Sequence, residues 1–212
     1  MILLVGSEKG GVGKSTLVTG LAAYLAGEGA DVVVLDTDSQ ATCAKWSDRR
    51  TEAGILPTVP CVQRSGDVAA TLRELAGRYQ IVIVDAGGRD SKELRTACVS
   101  ASVLLTPIQA SQADLETLPK MQELIALARG LNPELEAYAV LSRASSNPHV
   151  REVADAKELL ADFDQLKLAS TVIRDRKVYR DALLAGRGVT ETDNAQARAE
   201  IQLLAAEFFD LS

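Results

Sequence analysis

A short apolar run, Met1 to Val5, opens directly onto Lys9-Gly-Gly-Val-Gly-Lys14-Ser15-Thr16, and few folds accept a strand that feeds so glycine-rich a loop. Gly10, Gly11 and Gly13 free the backbone to turn successive N–H groups, that of Val12 included, toward one anion. The loop then enters a helix, whose N-terminus adds unpaired N–H donors and the positive end of a dipole. In such a device Lys14 reaches the β- and γ-phosphates of a nucleotide, and Ser15 gives its hydroxyl to Mg²⁺ with Thr16 beside it. The strict spacing of this motif asks for glycine at position 8, where the chain has Glu8. The loop fits instead the variant Lys-Gly-Gly-x-x-Lys-[Ser/Thr], in which a second lysine, Lys9, precedes the glycines.

The rest of the chain alternates between two periodicities. Apolar runs at 2–5, 32–35, 81–84, 102–105 and 138–141 are short and rich in Val, Ile and Leu, as buried parallel strands are, with weaker strand candidates at 58–62 and 169–173. Between them, amphipathic stretches at about 15–27, 41–53, 67–78, 91–100, 112–129, 149–162 and 176–185, and a final one at about 194–209, predict helices. Strict alternation implies right-handed crossovers and a mostly parallel, twisted sheet with helices on both faces, an α/β fold. With 212 residues, 47% hydrophobic and only 4% aromatic, the core is built from aliphatic side chains. No linker composition divides the chain, so residues 1–212 are expected to form one domain.

Ligands of open α/β sheets sit at the carboxyl ends of the strands. There the first strand delivers the glycine loop, the second delivers Asp36 and Asp38, and the run Ile81-Val-Ile-Val delivers Asp85. Mg²⁺ is a hard cation that retains several waters, so Ser15 is expected to bind it directly, Asp85 through a water, with Asp36 supporting the shell. Cys43, Cys61 and Cys98 are odd in number and widely spaced, which reads as reduced, packed thiols. His149 stands alone and reads as a surface or helix-start residue, and no Cys/His cluster points to zinc.

These stretches together resemble the ParA/MinD group of deviant Walker A ATPases, and most closely the small ParA-type partition proteins. The loop carries most of the likeness. Val32-Val-Val-Leu-Asp36-Thr-Asp38-Ser39-Gln40 resembles the group's second strand with Ser39 in place of a proline, and Ile81 to Gly88 resembles its Walker B strand. Leu104-Leu-Thr-Pro107 and the segments Ile173 to Tyr179 and Gly188 to Glu191 continue it to the C-terminal part of the chain.

The resemblance implies a P-loop NTPase fold, ATP and ADP as ligands with Mg²⁺, and ATP hydrolysis. It assigns Asp38 to the attacking water, Lys9 to the nucleotide of a partner subunit across an ATP-sandwich homodimer, and Arg143 to the neighbourhood of base or ribose. Residues 86–95 fall where the group carries a γ-phosphate-sensing switch. It further implies nonspecific DNA binding by the dimer through Arg174, Arg176, Lys177 and Arg180, and a ParB-like centromere-binding or adaptor protein that stimulates hydrolysis. The work of such a protein is plasmid or chromosome partition, or the positioning of another cargo.

Charge complicates the DNA reading. The chain carries a net charge of −6, against binding a phosphate backbone as a whole, yet Arg174 to Arg187 holds five cations and two acids. The N-terminal residues do not read as a secretory signal, no stretch approaches a membrane span, and no helix-turn-helix precedes the loop. A cytoplasmic protein is expected, nucleoid-associated when ATP-bound. Two alternatives stay open. A MinD-like membrane-associated positioning ATPase requires a basic amphipathic tail, and Ala195 to Ser212 places acids among its apolar residues, a poor anchor. A metabolic enzyme built on the same loop requires a second substrate site.

Overall fold

The computed structural model describes residues 1–88, 91–109, 116–145, 152–160 and 163–209. Seven strands form one sheet: β1 (Ile2–Val5), β2 (Val32–Asp36), β3 (Cys61–Gln63), β4 (Ile81–Asp85), β5 (Val103–Ile108), β6 (Glu136–Ala144) and β7 (Lys167–Arg174). Their order is β3-β2-β4-β1-β5-β6-β7, and every neighbouring pair is parallel. The helices are α1 (Lys14–Gly27), α2 (Thr42–Glu52), α3 (Ala69–Ala76), α4 (Lys92–Cys98), α5 (Leu118–Arg129), α6 (Glu152–Leu160), α7 (Lys177–Leu184) and α8 (Ala195–Phe208), with a 3-10 turn at Val189–Glu191.

Side-chain alternation explains why the central strands are apolar at every position. Leu3 and Val5 of β1, Val34 of β2 and Ile83 of β4 point into one core with α1, α2, α7 and α8. Ile2, Leu4, Val33, Leu35, Val82 and Val84 point into a second core with α3, α4, α5 and α6. Helix α1 is apolar on nearly all sides because α8 covers its outer surface, with Ile201 packed against Gly20. Full burial of each such leucine or isoleucine is worth about 2–3 kcal/mol, so the two faces stabilise the sheet from both sides.

The chain leaves β1 toward β2 by a helix on one face and leaves β4 toward β5 by a helix on the other. The two crossovers therefore diverge at the carboxyl end of β1, which opens a cleft there. Strand bounds depart from the apolar runs most at the edges of the sheet. The strand expected at 58–62 is Cys61–Gln63, and those at 138–141 and 169–173 extend to Glu136–Ala144 and Lys167–Arg174. The helix expected over 112–129 is described from Leu118, and His149 lies outside the described residues. No described helix is long and apolar enough to cross a membrane.

Candidate nucleotide-binding site

The glycine loop lies at the end of β1 and delivers Lys14 as the first residue of α1. Gly13 has φ +96, and a Cβ there would sit 3.0 Å from the Ser142 hydroxyl, so only glycine fits both the conformation and the space. Lys14 is 7% exposed, and its Nζ donates to the Lys9 carbonyl at 3.0 Å and to the Ser7 hydroxyl at 3.4 Å. Burial lowers its pKa, opposed by Asp85 and Asp38. The ammonium thus rests on neutral oxygens inside the loop, which a phosphate would outcompete.

Backbone register aligns the acids before any ligand is present. Asp36 of β2 and Asp85 of β4 are paired residues in adjacent strands, and Thr37 donates both its N–H and its hydroxyl to the Asp85 carbonyl at 3.0 Å. Asp85 is fully buried. Its Oδ2 accepts from the Cys43 thiol at 3.0 Å, while Oδ1 has no hydrogen-bond partner. Burial pushes its pKa up to about 6, against the nearby Ser15, Cys43 and Lys14 and with Asp36 adding to the rise. An orphaned buried carboxylate oxygen beside Ser15 and Lys14 is the chemistry of a cation site, so the residues present fit Mg²⁺.

Asp36 receives the backbone N–H groups of Asp38 and Ala44 at 3.1 and 3.0 Å, which fixes the β2–α2 loop, and burial raises its pKa. Asp38 is half-buried. Its Oδ1 accepts from the Gln40 N–H at 2.9 Å, and it lies beside Gly87. Gly88 closes the other side: a Cβ there would come within 3.1 Å of the Gly10 nitrogen, so β4's exit packs directly on the lysine loop. Of the segment expected to act as a switch, Gly87 thus lies beside Asp38 and Gly88 beside Gly10, while Arg89 and Asp90 lie outside the described residues.

A cleft of about 470 Å³ runs from Gly10, Lys14 and Thr16 past Ser142 and Arg143 to Ile173, Arg176 and Tyr179. Arg143 stands where β6 breaks register with β7, at φ +53, a conformation unusual for a side-chain-bearing residue. The bulge aims its guanidinium at the Gly11 carbonyl, 2.8 Å away, and 3.7 Å from the Asp175 carboxylate. Arg143 therefore braces the loop as well as lining the cleft.

The basic stretch expected to meet DNA borders this same cleft, and much of its charge is met internally. The Arg174 guanidinium donates to the Ser145 carbonyl. Arg176, only 21% exposed at its side chain, pairs with Glu200, while Lys177 pairs with Asp181 and Arg180 with Asp175. Sequence counting missed Glu200 because it lies outside the counted segment, on α8. It also missed Ser7 and Cys43, whose roles depend on contacts with Lys14 and Asp85; the alternation of strands and helices places Cys43 near that edge but not its thiol on the carboxylate.

Sheet order, glycine loop and converging acids define a P-loop nucleotide-binding domain. The model of the CobQ/CobB/MinD/ParA nucleotide binding domain matches residues 3–189, and the chain belongs to that family. It is 27% identical over 190 residues to the maintenance of carboxysome distribution protein A of Halothiobacillus neapolitanus, covering 88% of this chain and 85% of that one. It is 24% identical over 218 residues to the chromosome partitioning protein ParA of Caulobacter vibrioides, covering 84% and 82%. Among solved structures, the septum site-determining protein MinD of Pyrococcus horikoshii, complexed with Mg-ADP, superposes with a TM-score of 0.73 at 17% identity, covering 98% and 95%. The α/β fold expected from the alternation is that of these proteins.

Proposed function

We propose that this protein is a Mg²⁺-dependent ATPase that positions a cargo by cycling between a free form and an ATP-sandwich dimer. The observation that carries the reading is the pairing, in one loop, of a buried Lys14 held on replaceable oxygens with a second lysine ahead of the glycines. ATP bound with its phosphates on the loop directs ribose and base along the cleft toward Arg143 and Tyr179. Mg²⁺ would be held by Ser15 and by Asp85 through water, with Asp36 outside; it would supply charge neutralisation between the β- and γ-phosphates. Asp38, at the rim beside Gly87, orients the attacking water.

Lys9 completes the reading. Its place at the loop's mouth suits a cation delivered to the nucleotide of a second copy, so that ATP joins two subunits and its hydrolysis releases them. The relatives named for carboxysome distribution and chromosome partitioning differ in cargo. What they share supports ATP-driven positioning, and a stimulating, ParB-like or adaptor partner is part of the same proposal. The DNA-bound state belongs to the same proposal, with Lys177 and Arg180 as its most exposed cations, at 80% and 59% side-chain exposure.

Lys9→Glu separates binding from assembly. We expect ATP binding by calorimetry to survive while ATP-dependent dimerisation in sedimentation velocity and turnover both collapse; normal turnover by this variant would sink the sandwich reading. Lys177→Glu with Arg180→Glu is expected to abolish ATP-dependent retention on DNA with ATP binding intact, and unaltered retention would remove DNA from the cycle.

A further inference from the structure

One carboxylate on the last helix holds three elements of the cleft's far wall at once. Glu200 of α8 is 13% exposed at its side chain. Its Oε2 accepts the Arg174 backbone N–H at 3.2 Å and the Tyr179 hydroxyl at 2.8 Å. Its Oε1 accepts Nε and Nη2 of Arg176 at 3.0 and 2.9 Å, and Arg176 gains a second anchor on Gln196. Arg174, Arg176 and Tyr179 all line the cleft, at the point where β7 turns into α7. Tyr179 is buried, and burial together with the Glu200 charge raises its pKa, so its hydroxyl acts as a donor.

Holding α8 in place does not require this residue. The helix is docked on β7 by Glu207, which accepts the N–H groups of Ser170 and Thr171 at 2.9 and 2.7 Å, and on α1 by Ile201. Glu200 instead spends its four hydrogen bonds on one strand-to-helix turn. That turn follows β7, which β5 and β6 separate in the sheet from the strand that carries the phosphate loop, and it borders the same cleft.

We propose that Glu200 is a positioning residue for the ribose-and-base end of the nucleotide: it fixes Arg174, Arg176 and Tyr179 as a rigid wall and leaves the phosphate end untouched. This rests on the ATP-binding reading above. Removing the charge leaves buried donors poorly met and the wall free to move, so affinity is lost through ordering that binding must then supply.

The test is calorimetric titration of the wild-type chain and Glu200→Gln with a nonhydrolysable Mg·ATP analogue and with Mg·tripolyphosphate, which lacks ribose and base. Affinity for the analogue is expected to fall roughly tenfold while that for tripolyphosphate stays within about twofold. Equal losses on both ligands mean a generally damaged site and overturn the proposal, as does an undiminished affinity for the analogue. Should E200Q prove unfolded by circular dichroism, Tyr179→Phe, which removes one of the four donors, carries the same test with a loss of about threefold confined to the analogue; no loss there overturns it. A wild-type chain that binds the analogue no more tightly than tripolyphosphate overturns the nucleotide reading itself, a result distinct from either failure of Glu200.

Discussion

The two ends of the cleft are built by different means. At the phosphate end, the loop, Asp36, Asp38 and Asp85 each follow a strand of a few residues, and parallel register alone brings them together. At the far end, Arg143, Arg174, Arg176 and Tyr179 are set by a bulge, a left-handed residue and a carboxylate 21 residues or more from the groups it holds. Short-range geometry assembles the first end. The second end depends on where α8 lies, and it meets the phosphate loop through the Arg143 guanidinium on the Gly11 carbonyl.

The largest expected effect breaks the phosphate end alone. Lys14→Ala removes the cation that faces the phosphates, and we expect affinity for Mg·ATP to fall by at least about a hundredfold, since a charge-assisted contact of this kind is worth roughly 3 kcal/mol. The fold should persist, because Lys14's present partners, the Lys9 carbonyl and the Ser7 hydroxyl, can turn to water at the cleft. Calorimetry beside a thermal melt checks both parts, and retained affinity would mean that the loop does not grip phosphate.

The next effect concerns what ties the two ends together. Arg50 of α2 is completely buried, bonded to both oxygens of Glu191 at 2.8 and 2.7 Å, to the Gly186 and Pro57 carbonyls, and stacked 5.5 Å over Trp46. This links the helix that follows the Asp38 loop to the segment that follows α7. Glu191→Ala leaves the guanidinium buried without its acid, at a cost of about 3 kcal/mol. A denaturant midpoint that falls accordingly, with ATP affinity of the folded fraction retained, is the expected outcome. If affinity falls with stability, the ends of the cleft are one cooperative unit and the contrast between them fails.

Much of the phosphate end was legible in the sequence, because contiguous motifs dictate local backbone and parallel strands carry their C-terminal residues to one edge. Asp85 after Ile-Val-Ile-Val follows from that rule, whereas the packing of Gly88 on Gly10 does not. The far end was legible only in part. Arg174 to Arg187 reads as a basic stretch, since charge is counted along the chain. Its neutralisation by Glu200 depends on α8 returning to the sheet beside β7, a contact that no local pattern encodes. The Cys43 thiol on Asp85 escaped for the same reason: burial predicts a packed cysteine, and only tertiary placement makes it a donor to the carboxylate.

A smaller change sharpens the far end by relieving its backbone. Arg143→Gly removes a side chain held at φ +53, which recovers about 1 kcal/mol of strain, and deletes the guanidinium's bond to Gly11, which costs a similar amount. Stability should therefore change little. Affinity for both ATP and tripolyphosphate should weaken roughly fivefold, because the lost brace belongs to the loop. A loss confined to ATP would instead make Arg143 a contact of base or ribose.

The smallest expected energetic effect decides what the basic stretch is for. Asp175, 42% exposed, sits 3.0 Å from Arg180 and 3.7 Å from Arg143. Surface pairs of this kind contribute little, so Asp175→Asn should shift stability by less than about 0.5 kcal/mol. Its effect on partners is the informative part, because the substitution releases positive charge on the face that carries Lys177. If that face meets DNA, ATP-dependent retention should strengthen, and its dependence on salt should steepen by about one unit in the logarithmic slope, as an added phosphate contact requires. If the stretch serves only as a cleft wall, retention and slope stay unchanged while nucleotide affinity moves. Either result assigns Arg180 to one side of the wall: outward to a polyanion, or inward to the nucleotide that Glu200 helps to seat.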